Sequence, residues 1–523
     1  MIAAAMVALS MAAASPVEEK SLSQLRDDLA SGKTTSVELV QAYLARIAAM
    51  DREGPSLHSV IAINPHALED ARAADAARAA GKAVGPMSGL PILIKDNIET
   101  GDGLATTAGS LALKDNVAAR DAPVVARLKA QGAVVLGKTN LSEWANIRSN
   151  RSISGWSAVG GLVKNPYALN RNACGSSSGT GAAIAASFAA GGVGTETDGS
   201  ITCPASMGGL VGLKPTVGLV SRNRVVPISH SQDTPGPMTR TVSDAAIMLT
   251  AMAGSDPGDT ATAGADARRT DYLAALKGAS LKGKRLGVLR YAAGLNPEDD
   301  VLFENTLKRL SEAGAELVEI RDYQPPATIG VDEGVVLFTE LKVDLDAYLA
   351  STPSPVRTRS LSDVITFNKK TPRELAVFGQ DAFEFAATTK GLSDPVYLKA
   401  RRDSLLASGP NGIDMLIAKH HVDALIGPTY GPAAFSDLLH GSHASGRIGE
   451  IAAVAGYPHL TVPMGLIHGL PVGISFVGPA WSEAKLLALG AAFESLIQGR
   501  RPPTYAASIE TMPEVAPLLA PAR

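Results

Sequence analysis

The densest concentration of residues able to do chemistry lies between Ala173 and Gly212, ACGSSSGTGAAIAASFAAGGVGTETDGSITCPASMGGLVG, where serines sit among glycines and alanines. Small residues let a backbone approach another group closely and let several N–H groups converge on one point. A serine hydroxyl is a weak nucleophile until a neighbouring base takes its proton. Gly175-Ser176-Ser177-Ser178-Gly179 matches the G-x-S-x-G elbow, which would make Ser177 the nucleophile of an α/β-hydrolase-type esterase. That elbow must follow a strand, whereas Asn165 to Asn172 is polar and turn-forming, and a partner would have to come from nine scattered histidines. Taken singly, Ser176 and Ser200 also read as turn or N-cap residues. Glu196 and Asp198 could be mistaken for a carboxylate pair of the kind used on glycosides, a reading set aside because their segment is accounted for without it. A flexible linker does not fit, because the helix-forming stretch Ala182 to Ala190 is held between two glycine-rich turns.

The wider pattern resembles the amidase signature family, in which GSSSG and a GT-x-x-x-GSI segment lie on either side of a helix. Here these are Gly175 to Gly179 and Gly194-Thr195-Glu196-Thr197-Asp198-Gly199-Ser200-Ile201. GLPILIKDNI (Gly89 to Ile98), LGKTNLSEWA (Leu136 to Ala145), PASMGGLVGLKPT (Pro204 to Thr216) and SQDTPGPMTRTVSDAA (Ser231 to Ala246) match further blocks in order. The resemblance runs from roughly Ser21 to Pro502. It implies a Ser-Ser-Lys triad on Lys95, Ser176 and Ser200. Ser200 would form the acyl-enzyme, Ser176, after a cis peptide bond, would shuttle the proton, and Lys95 would be the base, with Ser177 in support.

The chemistry of such a triad is coherent. A lysine can be a base only when neutral, and its reference pKa is about 10.4. Alone, Lys95 would read as a cation snorkelling off a strand end; inside an apolar strand end, desolvation disfavours the ammonium. Backbone N–H groups of Thr197, Asp198, Gly199 and Ser200, at a turn into a helix, would supply the oxyanion donors. Three positions depart from the family's common pattern: Asp198 stands for a second glycine, Thr202 for an arginine and Glu196 for an aspartate. TETDGSITCPAS is similar to the branch that includes bacterial peptide amidases, which remove the C-terminal amide of peptides and release ammonia. A non-catalytic amide-binding protein of the same fold is the alternative from another class.

Elements must position these residues. Thr35-Ser36-Val37-Glu38 is a capping box ahead of Val40, Tyr43, Leu44 and Ile47 at helical spacing. Ala67 to Ala80 predicts a helix ended by Gly81. Pro91 to Ile94 predicts a buried strand ending at Lys95, and Asp121 is expected to cap a helix over Pro123 to Gln131. Strands are expected at Ala133 to Leu136, Arg285 to Leu289, Ala315 to Ile320, Ala424 to Ile426, Leu460 to Val462 and Val472 to Phe476. Helices at Phe303 to Ala313 and Ser482 to Ile497 alternate with them. The alternation implies an α/β fold, and the resemblance a three-layer α/β/α sandwich around a mixed, largely buried sheet. One domain over 15–505 is expected, with a helical insertion over 331–407 covering the site and a loosely packed tail over 506–523.

Composition bounds the rest. Hydrophobic residues make up 46% and charged residues 19% of 523, which excludes a disordered chain. The net charge of −3 argues against nucleic acid as a partner. The expected partner is a small-molecule or peptide amide. Without CxxC, HExxH or a Cys/His cluster no metal is expected, and no other cofactor. Cys174 and Cys203 allow either a disulfide or two buried thiols. Ile2 to Ala14 is a 13-residue apolar run followed by polar residues, and Ala12-Ala13-Ala14 fits a cleavage site. That predicts a signal peptide over 1–14 and a periplasmic or secreted protein, cytoplasmic if the run is retained. Export argues against the tRNA amidotransferase component of the same family. No stable membrane insertion is expected, since no later stretch is long enough to span a bilayer.

Overall fold

Eleven strands form one mixed sheet in the computed structural model, which describes residues 15–82, 85–294, 296–442, 446 and 448–519. From one edge the order is Val60–Ile63, Val134–Thr139, Pro91–Lys95, Gly191–Glu196, Thr234–Thr239 and Val211–Lys214. His459–Ile467, Leu470–Val477, Ala424–Pro428, Arg285–Leu289 and Glu316–Ile320 continue it to the other edge. Helices surround the sheet, giving the α/β architecture expected. The first 14 residues, and with them the signal-peptide expectation, lie outside the described residues.

The strand Pro91–Lys95 is buried at every position and pairs in parallel with Val134–Thr139 and Gly191–Glu196. A strand walled in on both edges and both faces takes an unbroken apolar run, and its last residue ends up inside the protein too. Three of the six residues of its neighbour Gly191–Glu196 are glycine, for a packing reason. A Cβ on Gly192 would stand 2.6 Å from Thr180 Cγ2, and one on Gly194 would stand 2.8 Å from Ser177 Oγ. The fully buried helix Ser178–Ala185 therefore lies directly on that strand.

Several boundaries differ from expectation. The helix read at Ala182 to Ala190 starts at Ser178 and stops at Ala185, because Ser187 turns the chain with φ +57° into the next strand. Asp121 does not cap the helix Pro123–Ala130; its carboxylate accepts from Gly101 N–H (2.7 Å) and Lys129 Nζ (2.8 Å) instead. The tail is tied down rather than loose: Tyr505 N–H donates to Pro166 O, Leu169 N–H to Ala506 O, and Met512 and Val515 are buried.

Between the strands ending at Ile320 and starting at Ala424 the principal elements are the helices Thr328–Ser351, Leu361–Lys370, Asp381–Ala386 and Pro395–Ser408. The first three contribute to one apolar cluster, in which Leu345, Leu349 and Phe383 meet Leu113, Trp144 and Val226, while Tyr397 and Ala400 of the fourth pack on Val336. Gln232 Nε2 donates to Glu333 Oε1 on the first of these helices (2.7 Å).

Candidate active site

Lys95 ends its strand with no solvent exposure. Its Nζ lies 2.7 Å from Ser176 Oγ, 2.9 Å from Thr195 Oγ1 and 3.4 Å from Thr195 O. Burial drives its pKa from 10.5 down to about 7, against the opposing pull of the Asp233 and Glu196 carboxylates. An ammonium would have three acceptors here, but none carries a full charge, so the neutral amine is held within reach of titration at ordinary pH.

Ser176 belongs to a turn made of close approaches. Its peptide bond with Gly175 is cis, and a Cβ on Gly175 would fall 2.1 Å from Ser142 Oγ. Ser142 N–H donates to Ser176 O (3.0 Å), fixing the backbone that carries the hydroxyl. Ser177 is turned the other way. Its Oγ donates to Thr195 O (3.1 Å) and accepts from Thr195 N–H (3.2 Å), and the side chain is fully buried. The elbow reading fails on that geometry: no strand runs directly into Ser177, and its hydroxyl is spent on the neighbouring backbone. Ser177 N–H also donates to Ser200 O (3.1 Å), which ties the two serine segments together.

The second segment is a tight turn leading into the helix Thr202–Met207. Gly199 has φ +74°, and a Cβ there would stand 2.3 Å from Tyr430 Oη, so glycine is required twice over. The Glu196 carboxylate closes the turn: its Oε2 accepts from Ile201 N–H (2.7 Å), Thr202 N–H (2.8 Å) and Thr202 Oγ1 (3.2 Å). That use removes Glu196 from any carboxylate pair with Asp198. It also shows Thr202 bonded to the side chain its departure from the family pattern accompanies. Among the described residues the N–H groups of Thr197, Asp198, Gly199 and Ser200 have no acceptor, and the Ser200 hydroxyl has no hydrogen-bond partner.

Two connected cavities lie over this floor. One of about 450 Å³ is lined by Gly175, Asp198, Gly199, Tyr430 and both cysteines. The other, of about 530 Å³, shares Asp198 and adds Tyr291, Gly330 and Glu450. Asp198 projects into this space. Loss of hydration, then Glu333, Glu196 and Glu450, push its carboxyl well above the usual range, although the residue is exposed to the cleft. Cys174 and Cys203 form a disulfide with Cα atoms 5.9 Å apart, joining the residue before Gly175 to the helix that follows Ser200.

Of the residues expected to act together, Lys95 bonds Ser176 directly. Ser200 is tied to that segment only through its carbonyl, which accepts from Ser177 N–H, and among the described residues no hydrogen bond joins its hydroxyl to Ser176. Thr195, Asn97 and Asp233 were not read as site residues, yet Asn97 Nδ2 donates to Thr195 Oγ1 (3.0 Å) and Thr197 Oγ1 to Asp233 Oδ1 (2.5 Å). All three stand inside motif blocks, which was the signal available. Tyr430 and Glu450 stand in none.

A family model described as Amidase matches residues 38–487, so the chain belongs to the amidase signature family. Its fold and sequence are similar to those of native peptide amidase from Stenotrophomonas maltophilia, with 47% identity, a TM-score of 0.89 and coverage of 94% of this chain and 99% of that one. An amidase family protein from Bacillus anthracis is 35% identical with a TM-score of 0.85, covering 93% of each chain. The chain is also 40% identical over 503 residues to a probable amidase of Arabidopsis thaliana, covering 94% of this chain and 92% of the relative. The protein is an amidase, a hydrolase of amide bonds. No helix among the described residues is long and apolar enough to cross a membrane.

Proposed function

We propose that this amidase cleaves C-terminal amides of peptides through an acyl-enzyme on Ser200, with Ser176 as proton shuttle and Lys95 as base. The observation that carries the reading is the 2.7 Å contact between Ser176 Oγ and a lysine amine that burial holds near pKa 7. As Ser200 Oγ attacks the amide carbon, its proton passes to Ser176 Oγ while the Ser176 proton passes to neutral Lys95 Nζ. The carbonyl oxygen becomes an oxyanion, for which the unpaired N–H groups of Thr197, Asp198, Gly199 and Ser200 are suited donors. Collapse breaks the C–N bond, and the proton returns through Ser176 to the departing nitrogen, releasing ammonia. Water then attacks the ester along the same relay and frees Ser200.

The peptide-amide substrate is supported by near full-length similarity to a peptide amidase and by a cleft whose two cavities could receive several residues of acyl chain. We also propose export, since the Cys174–Cys203 disulfide suits an oxidising compartment and the N-terminal run suits a cleaved signal. Intact-mass spectrometry after fluorophosphonate treatment, with ammonia release from a panel of peptide amides, tests the mechanism. Ser200→Ala should abolish labelling and turnover, whereas Ser177→Ala should still label. Labelling that persists in Ser200→Ala and vanishes in Ser177→Ala would sink the assignment.

A further inference from the structure

Asp233 stands beside the reaction machinery without touching the cleft. Its Oδ1 accepts from Thr197 Oγ1 (2.5 Å), and its Oδ2 accepts from Ile228 N–H (2.8 Å) and Ser229 N–H (2.9 Å). Burial lifts its carboxyl to about 6 against these bonds, so it is largely ionised where Lys95 titrates. It shares a chamber of about 10 Å³ with Asn97, Thr195 and Thr197, a space that has no lining residue in common with either cleft cavity. A chamber that size admits about one water; Arg222 lines it with Asp233, and Lys95 lies behind Thr195, so little solvent stands between the amine and the carboxylate. Thr195 closes the circuit, because its hydroxyl receives both Lys95 Nζ and Asn97 Nδ2.

We infer that Asp233 is a positioning residue for amide hydrolysis, a fixed counter-charge that sets where Lys95 loses its proton while its bond to Thr197 anchors the oxyanion turn. The inference rests on the reading of Lys95 as base. No salt bridge joins the two among the described residues, so the coupling acts through space rather than by shared hydrogen bonds.

The remaining charges leave Asp233 in that role. Glu196 is a second counter-charge on Lys95, weaker than Asp233, with its Oε2 committed to the Ile201 and Thr202 N–H groups. Arg222 faces Asp233 from its own loop and is bound to Asp259, Nε to Oδ2 at 2.9 Å. Across an adjoining cavity of about 310 Å³ stand His230, Asp344 and Tyr348. There His230 Nδ1 lies 2.9 Å from Asp344 and Nε2 3.3 Å from Glu340, so that imidazole is shared by two carboxylates. Lys95 is otherwise met by neutral oxygens.

Asp233→Asn is close to isosteric. Its oxygen can keep the Ile228 and Ser229 N–H groups while its amide donates to Thr197 Oγ1, so the scaffold survives and the charge goes. The pH dependence of kcat/KM for ammonia release from a peptide amide, read beside the fluorophosphonate labelling rate, tests the inference. Removing the counter-charge makes Lys95 easier to deprotonate, so the acid limb should move down by about one pH unit. Asp233→Glu keeps the charge, so its limb should stay at the wild-type position even where its plateau falls. A limb that stays put in Asp233→Asn with activity lowered at every pH overturns the inference and leaves a structural role. A limb that also moves down in Asp233→Glu overturns it without recourse to the neutral variant. Failure of the underlying reading looks different: the wild type would then show no limb that Lys95→Ala removes.

Discussion

Replacing Lys95 by arginine keeps a cation at the strand end and removes its ability to become neutral, since a guanidinium does not deprotonate in proteins. With the lysine held near 7, about half of it is neutral at pH 7. At its ordinary 10.5 the neutral fraction would be ~3 in 10,000, so burial raises the supply of competent base ~1,500-fold. That factor corresponds to about 4–5 kcal/mol of ammonium destabilisation, an order-of-magnitude figure for a group with no exposure. Wild-type kcat/KM for ammonia release should therefore rise along an acid limb centred near pH 7 and level off above it. Lys95→Arg should lose at least ~1,000-fold at pH 7 and recover nothing up to about pH 9. Fluorophosphonate labelling separates loss of the nucleophile's activation from loss of substrate binding. A Lys95→Arg enzyme within tenfold of wild type at pH 7, or a wild-type profile flat from about pH 5 to 9, would refute the argument.

Other expectations follow from the same geometry. The Lys95 pKa is depressed in the folded state, so below pH 7 both states bind the proton and the buried cation costs its full amount; that cost fades as pH rises from 7 towards 10.5. Lys95→Met should accordingly raise the denaturant midpoint most at about pH 6 and least near pH 10, and a gain independent of pH would contradict it. Glu196→Ala strips the acceptor from Ile201 and Thr202 N–H, which should cost about 2–4 kcal/mol and reduce kcat, with Glu196→Gln milder in both. Gly199→Ala meets both φ +74° and Tyr430 Oη, so Tyr430→Phe in the same chain should restore only part of the lost activity. Cys174→Ser should lower the unfolding free energy by about 3.5 kcal/mol, in line with the sequence separation of 29 closed by the disulfide, and a reductant should have the same effect on wild type only.

Much of this was legible from the sequence because it is encoded locally. The apolar run Pro91 to Ile94 predicts a strand in any context that buries it, and the strand Arg285–Leu289 lies where its sequence places it. The capping box at Thr35 and Glu38 appears with both bonds formed, Glu38 N–H to Thr35 Oγ1 at 3.1 Å and Thr35 N–H to Glu38 Oε2 at 2.8 Å. Hydrogen bonds between residues three apart need no other part of the chain. The ordered motif blocks likewise single out Lys95, Ser176 and Ser200 independently of the fold.

Other features depend on contacts between distant segments. Thr234–Thr239, with Pro235 and Pro237 inside it, is not among the strands expected from the sequence, yet it lies between Gly191–Glu196 and Val211–Lys214 in the middle of the sheet. Proline lacks the N–H that a ladder needs, so propensity speaks against a strand that its two neighbours nonetheless hold. The start of the helix at Ser178 is set by its docking on Gly192 and Gly194, not by alanine content. Asp121 could have capped its helix and instead holds Gly101 and Lys129. The sequence by itself determined which residues could do the chemistry and the strand that carries Lys95, because residue type and short-range periodicity are local properties. Only the tertiary structure decided that Lys95 is dry enough to titrate near 7, that Ser177 is spent on Thr195, and that Asp233 is near enough to pull on the Lys95 charge. Desolvation and through-space charge are set by whatever the rest of the chain packs around a group, and no short stretch of sequence contains that information.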